Sequence, residues 1–184
     1  MAEVAFMPIS TWDPWFVKAI REHYTESAGA PPGKKQAWRI HEDGIVVGWI
    51  GLGEPAYALS PRRRLGIADI RPLPQTVCCF IYRVVVPRSQ RVLSSGDLLR
   101  LWHGPAAADW SRRYGWEPVH WETMVSQGDA KNLGACFKRA GYRSLGWTTG
   151  RGARRPAGHS RGPRVWGDTE KRLVLYRGPL ARLP

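Results

Sequence analysis

Cysteine is scarce in this chain and forms no recognisable pattern: Cys78, Cys79 and Cys136 are the only three in 184 residues, and no CxxC pair occurs. Neighbouring strand residues face opposite sides, which argues against Cys78 and Cys79 sharing a metal. Reduced thiols in a cytosolic protein are the expectation. Five scattered histidines make no ligand spacing either, so no metal is expected. No run approaches the ~18 apolar residues of a membrane span. Residues 1–10 are too short, and lack the basic start and apolar stretch, of a signal peptide. Acidic residues are the other shortage, 15 Asp and Glu against 28 Lys and Arg, for a formal charge of +13.

What is present is a chain long enough for one domain with a full core, 43% hydrophobic and carrying ten tryptophans. Its positive charge is unevenly placed. Residues 138–184 hold twelve Lys and Arg against Asp168 and Glu170, a local balance of +10. Counterion release attracts such a segment to a polyanion whatever the sequence. Its Gly and Pro content does not suit an amphipathic membrane helix. Nucleic acid, DNA above all, is therefore the expected partner. Within the Gly/Arg-rich stretch 150–168, Arg151, Arg154, Arg155, Arg161 and Arg164 are candidates to fork onto phosphates, with Trp166 available to stack on a base.

Periodicity predicts a β-α-β-β-β-α-β-α-β-β order. Val4 to Ile9 reads as a strand, and Asp13-Pro14 as the cap and first residue of a helix burying Phe16, Ala19, Ile20, His23 and Tyr24 on one face. Lys35–His41 and Ile45–Gly51 flank the hairpin signal Asp43-Gly44. Residues 54–75, with Arg62-Arg63-Arg64, read as a functional flap rather than a core element. Val77–Val86 has the profile of a central strand buried on both faces. A helix from about Ser95 is expected to kink or split at His103-Gly104-Pro105. Glu117–Val125, Asn132–Ala140, Ser144–Thr148 and Arg172–Tyr176 supply strand, helix, strand and strand.

This order resembles the GNAT-type N-acyltransferase fold. The fold so implied is one α/β domain over 1–184, with a mixed, mostly antiparallel sheet, flanking helices and central strands that splay to admit a donor. Arg91-Val92-Leu93-Ser94-Ser95-Gly96 stands where that family has its phosphate-cradling R/Q-x-x-G-x-G/A loop. Arg91, Ser94, Ser95 and Gly96 are thereby the candidate cofactor residues, with Ser94 replacing the first Gly. In the family's later L-Y-x-x-x-G-F segment the Tyr protonates the leaving thiolate. Here the segment is Cys136-Phe137-Lys138-Arg139-Ala140-Gly141-Tyr142, and a phenyl ring transfers no proton.

Further segments resemble two GNAT-like groups, the phage Mom-type DNA modification proteins and the Druantia anti-phage protein DruA. They are His23-Tyr24, Val47–Gly53, Asp109-Trp110 with Tyr114-Gly115, Glu122–Val125, Gly134–Phe137 and Leu145–Gly152. The Mom resemblance implies transfer of a carbamoylmethyl group to the exocyclic amine of adenine in phage DNA, protecting it from restriction. The location would then be the host cytoplasm. The donor stays open between acyl-CoA and a charged tRNA. A DruA-like nucleic-acid-binding protein without turnover and a conventional acetyl-CoA-dependent enzyme are the alternatives.

The candidate catalytic residues are His23, Tyr24, Glu122 and Asp129. His23 and Tyr24 on a buried face need partners or a task. A histidine near its ordinary pKa of ~6.5 suits proton removal, and Tyr24 suits substrate orientation. Glu122, on an otherwise apolar strand, requires a cationic partner or a raised pKa, which makes it either an ion pair or a site residue. Asn132 reads as a helix cap, and Asp129 in the same turn as the acidic residue that family members often carry there.

Overall fold

The computed structural model describes residues 3–21, 33–55, 59–66, 75–84, 92–126, 133–148 and 171–179; for residues 21, 78–84 and 126 it describes the backbone alone. The elements are β1 (Val4–Ile9), α1 (Pro14–Arg21), β2 (Lys35–Glu42), β3 (Ile45–Gly53), a 3-10 helix (Ser60–Leu65), β4 (Thr76–Val84), α2 (Ser95–Tyr114), β5 (His120–Ser126), α3 (Ala135–Arg139), β6 (Arg143–Trp147) and β7 (Arg172–Arg177). The strands form one sheet in the order β1-β2-β3-β4-β5-β7-β6. Every neighbouring pair is antiparallel except β4 and β5, which run parallel. This is the expected mixed, mostly antiparallel sheet.

Local chemistry accounts for the first half. Asp13 caps α1: its Oδ1 accepts from the Trp15 and Phe16 amides, each at 3.0 Å, while Oδ2 accepts from Arg39 on β2 at 2.9 Å. The buried stripe Phe16, Ala19 and Ile20 packs on Ala37 and Trp49. Asp13→Ala removes both the cap and the tie to β2. A loss of about 1–2 kcal/mol is expected in urea unfolding, together with a weaker helical CD signal. Asp43 and Gly44 both take positive φ, 47° and 79°, the backbone of a tight hairpin between β2 and β3. The Asp43 turn also closes on β1, with its amide donating to the Glu3 carbonyl and its Oδ1 accepting from the Glu3 amide.

The main core lies between the sheet and α2. Leu98, Leu99, Trp102, Ala106 and Trp110 of α2 meet Trp38, Ile50, Leu52, Val77 and Trp121. The far half of α2 is tied to β2 by polar contacts: Trp38 Nε1 donates to Asp109 Oδ2 at 2.9 Å, and the Tyr114 hydroxyl both accepts from the Lys35 amide and donates to its carbonyl. Asp109 and Tyr114, two residues of the resembling segments, thus anchor this helix.

Three expectations change. The helix expected to kink or split at residues 103–105 runs unbroken from Ser95 to Tyr114 with Pro105 inside it. Gly104 and Pro105 lie on the exposed side, where water can satisfy the Leu101 carbonyl that a proline four residues on leaves without a donor. The helix expected over 132–140 is only Ala135–Arg139, and its N-cap position is Gly134, at φ 68°, not Asn132. A side chain at Gly134 would strike Leu175, so β7 sets where this helix begins. Finally, part of the segment read as a flap is a core element. The 3-10 helix buries Leu65, which packs with Leu59 on Leu145, Val174 and Tyr176, and it buries Arg62 at 1% exposure.

Candidate functional site

The sheet opens along one seam. β4 and β5 pair only at Thr76↔His120, Val77↔Trp121 and Cys78↔Glu122, although β4 continues to Val84 against β3 and β5 continues to Ser126 against β7. Past Cys78 and Glu122 the two parallel strands therefore part. Among the described residues their facing backbone N–H and C=O groups have no strand partner there.

The start of α2 follows the open end of β4. The Asp97 and Leu98 amides bond to the Ser94 carbonyl, while the Ser95 and Gly96 amides precede the helical ladder. Free amides at the start of a 20-residue helix favour an anion. Ser94 itself is occupied: its Oγ accepts from the Asp97 amide at 3.2 Å and donates to Asp97 Oδ2 at 2.5 Å. This hydroxyl bond holds the Asp97 carboxyl below the usual carboxylate range, with help from Arg139, whose Nη2 lies 3.0 Å from Oδ2. Gly96 faces protein rather than open space. A Cβ there would lie 2.8 Å from the Arg139 side chain, so the glycine permits α3 to approach α2. The contribution of Gly96 and Ser95 to a donor site is thus their backbone. One residue not foreseen is Glu42, buried at the end of β2, whose Oε2 accepts from the Val92 amide at 3.0 Å and pins the loop.

Glu122 is the ion pair of its two alternatives. Arg62 donates from Nε to Oε2 at 3.0 Å and from Nη2 to Oε1, and both side chains are buried. Its carboxylate is committed to holding the 3-10 helix on the sheet. On the same face, His120 Nδ1 lies 2.5 Å from the Tyr176 hydroxyl, which donates to the Pro179 carbonyl at 2.8 Å. Nδ1 therefore carries the proton and Nε2 keeps its lone pair. Burial lowers the His120 pKa and raises that of Tyr176.

Phe137, at the family's proton-donor position, is buried edge-on against Tyr142, with ring centroids 5.3 Å apart. The Tyr142 hydroxyl has a buried partner of its own. It lies 2.9 Å from His103 Nε2, inside the core. His103 is 4% exposed, and burial above all, with the Arg177 charge, lowers its pKa to about 3. Its spacing within the apolar stripe of α2 was the available signal for this buried partner. Cys136 is a free thiol whose pKa burial raises.

His23, Tyr24, Asp129, Arg91 and the five arginines Arg151, Arg154, Arg155, Arg161 and Arg164 lie outside the described residues. Among the described residues no group of His, Cys, Asp and Glu is placed to hold a metal ion, and no helix is long and apolar enough to cross a membrane.

No protein-family model matches this chain, and no curated protein does. Solved structures do. An N-acetyltransferase from Staphylococcus aureus Mu50 aligns at 12% identity over 96% of this chain and 98% of its own, with a TM-score of 0.53. A chimera of the spermidine N-acetyltransferase SpeG from Vibrio cholerae aligns at 10% identity over 94% and 93%, TM-score 0.52. A Bacillus subtilis acetyltransferase solved in complex with CoA aligns at 12% over 98% and 100%, TM-score 0.50. The strand order, the parted β4–β5 seam and these likenesses together give the fold: it is that of the GNAT-type N-acetyltransferases.

Proposed function

We propose that this chain is an N-acyltransferase that seats an acyl-CoA-type donor in the β4–β5 opening and passes the acyl group to an amine. The observation that carries this is the three-residue pairing of β4 with β5 and the parting of the two strands after it, with α2 the next element in the chain after β4. Unpaired backbone donors along β4 can hold the thioester carbonyl and its developing oxyanion, and the first turn of α2 can hold the donor's phosphates. The CoA complex of the similar B. subtilis enzyme supports a donor of this kind. The acceptor must attack as a free amine, for which His23 is the proposed base with Asp129, and Tyr24 the orienting group. Phe137 and the core-bound Tyr142 leave the thiolate to be protonated by another group or by water.

A second reading rests on the +10 balance of residues 138–184. It places the acceptor on DNA, as the exocyclic amine of adenine in a Mom-like modification, with the five arginines of 151–164 gripping the backbone. A duplex base must leave the stack to react. An adenine amine, with its lone pair delocalised into the ring, needs proton removal and oxyanion support together.

Two measurements on the same preparation separate the readings. The purified chain is assayed with radiolabelled acetyl-CoA against polyamine, peptide and DNA acceptors. DNA from the expressing host is digested to nucleosides and weighed by mass spectrometry. Label on a polyamine or peptide amine, lost in His23→Ala, supports the acyltransferase with a conventional acceptor. A mass-shifted deoxyadenosine, absent with His23→Ala, supports the DNA reading. Unmodified nucleosides and no labelled acceptor, with DNA binding that survives His23→Ala, would overturn both in favour of a binding protein without turnover.

A further inference from the structure

The most exposed large apolar side chain among the described residues is Trp12, at 78%, and Trp15, three positions on, is 60% exposed. The other described tryptophans are buried or half-buried, apart from Trp147 at 39%. Neither exposed ring sits on a loose backbone. The Trp12 amide donates to Ser10 Oγ at 3.1 Å and the Trp15 amide to Asp13 Oδ1 at 3.0 Å, so a turn and a helix cap fix both positions. Three residues of chain span at most about 11 Å, which keeps the two Cα atoms within one short stretch of surface.

Each ring carries an ammonium. Lys18 Nζ lies 5.6 Å from the Trp15 ring centroid, and the Nζ of Lys35, the first residue of β2, lies 5.4 Å from that of Trp12. Lys35 reaches this side because it shares a face of β2 with Ala37, which packs on α1, and with Arg39, which bonds to Asp13. Asp13 is the one carboxylate of residues 10–21, and its two oxygens are committed to the cap and to Arg39. The apolar stripe of α1, Phe16, Ala19 and Ile20, is packed on the sheet, so the helix lacks the outward apolar face that lies in a bilayer. What it presents outward is two flat rings flanked by positive charge.

We propose that Trp12 and Trp15, with Lys18 and Lys35, form a stacking surface for single-stranded nucleic acid. Every base has a π-face that an exposed indole can meet, and the lysines beside the rings supply cations for the phosphates of the same strand. A paired base inside a duplex has its faces covered by its neighbours, so the surface selects unpaired strands. No residue of the β4–β5 opening or of the arginine-rich stretch 151–164 takes part. The surface therefore stands or falls apart from either reading of the activity.

The test is fluorescence anisotropy of an end-labelled oligothymidylate titrated with the intact chain, beside an abasic oligomer of the same length and charge. General attraction to phosphate acts on both oligomers alike, and only the thymine oligomer can stack. Its binding is expected to be at least tenfold tighter. Trp12→Ala and Trp15→Ala should each weaken it about tenfold while leaving the abasic oligomer unchanged, and Trp15→Tyr, which keeps a ring, should retain most of it. Lys18→Gln and Lys35→Gln should each lower the slope of log K against log salt by about 0.7, the value for one phosphate of a single strand. Arg113→Gln, on the exposed side of α2, should leave the ratio of the two affinities as it was. Each variant should unfold at an unchanged urea concentration, which separates a lost surface from a lost fold. Equal affinity for the two oligomers, or alanine variants that bind thymine as tightly as the unmodified chain, would overturn the proposal. So would a loss of self-association in sedimentation, or of binding to phosphatidylserine vesicles, in the same variants with thymine binding intact. The surface would then serve a second copy of the chain or a membrane.

Discussion

Glu122→Ala is expected to destabilise the fold by about 3–5 kcal/mol, the cost of leaving a buried charge without its partner. Arg62, 1% exposed, would lose the carboxylate that Glu122 holds against its guanidinium, with little water to replace it. Arg62→Met should cost less, because a carboxylate left alone in the core can take up a proton and become neutral. The double variant Arg62→Met with Glu122→Leu should recover most of the loss, since apolar groups of similar volume tolerate the site that either charge alone does not. Urea unfolding of the four proteins gives the coupling directly. Losses that simply add, with no recovery in the double variant, would mean that the two side chains do not act as a pair. The consequence for function is mechanical. This pair fixes the 3-10 helix to β5 at the register position where β4 and β5 last touch, so loosening it should also widen the mouth of the donor opening.

The contrast between Arg62 and its neighbours shows where the sequence stops being informative. Three consecutive arginines in a long connection look like a solvated run, and for Arg63 and Arg64 the exposed side is correct. Arg62 differs only because Glu122, sixty residues away, needs a cation. The need was legible from a carboxylate on an apolar strand, but the residue that meets it was not, because a long-range pairing leaves no local pattern. Pro105 makes the same point in reverse. Local rules favour a break there, yet the apolar stripe on either side buries against the sheet, and a proline on the wet face does not outweigh that burial. The elements with strong local chemistry, the Asp13-Pro14 cap and the Asp43-Gly44 hairpin, form where expected.

The candidate site divides along the same line. The parted strands and the helix start after them could be expected from element order, because topology alone places them. Gly96 and Gly146 belong to segments that look functional by resemblance, yet in the structure they admit Arg139 and Arg64, respectively, against the backbone. A glycine kept for close approach reads identically whether a ligand or a side chain approaches. The exchange of Phe137 and Tyr142 relative to the family pattern is visible in the sequence. That the tyrosine hydroxyl is then spent on His103 is not, since it takes the fold to bring α2 over the end of α3.

His103 supplies the second large effect, and its sign is fixed by the direction of its shift. Nε2 lies 2.9 Å from the Tyr142 hydroxyl, Nδ1 has no hydrogen bond of normal geometry, and the Leu99 carbonyl one turn back opposes the depression of its pKa only weakly. The folded pKa is about 3 against the ordinary histidine value of 6.5. Above pH 6.5 neither the folded nor the unfolded chain protonates this ring, and its contribution to stability is fully present. As pH falls below 6.5 the unfolded chain takes up a proton that the folded chain refuses. Stability then drops by about 1.4 kcal/mol per pH unit until the folded ring also titrates. Between pH 6.5 and 4.5, before most carboxylates respond, the expected loss is on the order of 2–3 kcal/mol. His120, also lowered by burial but more accessible, adds a smaller loss of the same sign, so His120→Gln serves as the background. Urea unfolding at several pH values, in that background with and without His103→Gln, isolates the buried ring. The glutamine can still meet the Tyr142 hydroxyl but cannot titrate, and its stability should be nearly flat over this window. A slope equal to that of the histidine protein would show that His103 accepts its proton in the folded state, and the closed core between α2, α3 and β5 would then have to be more open to water than its 4% exposure allows.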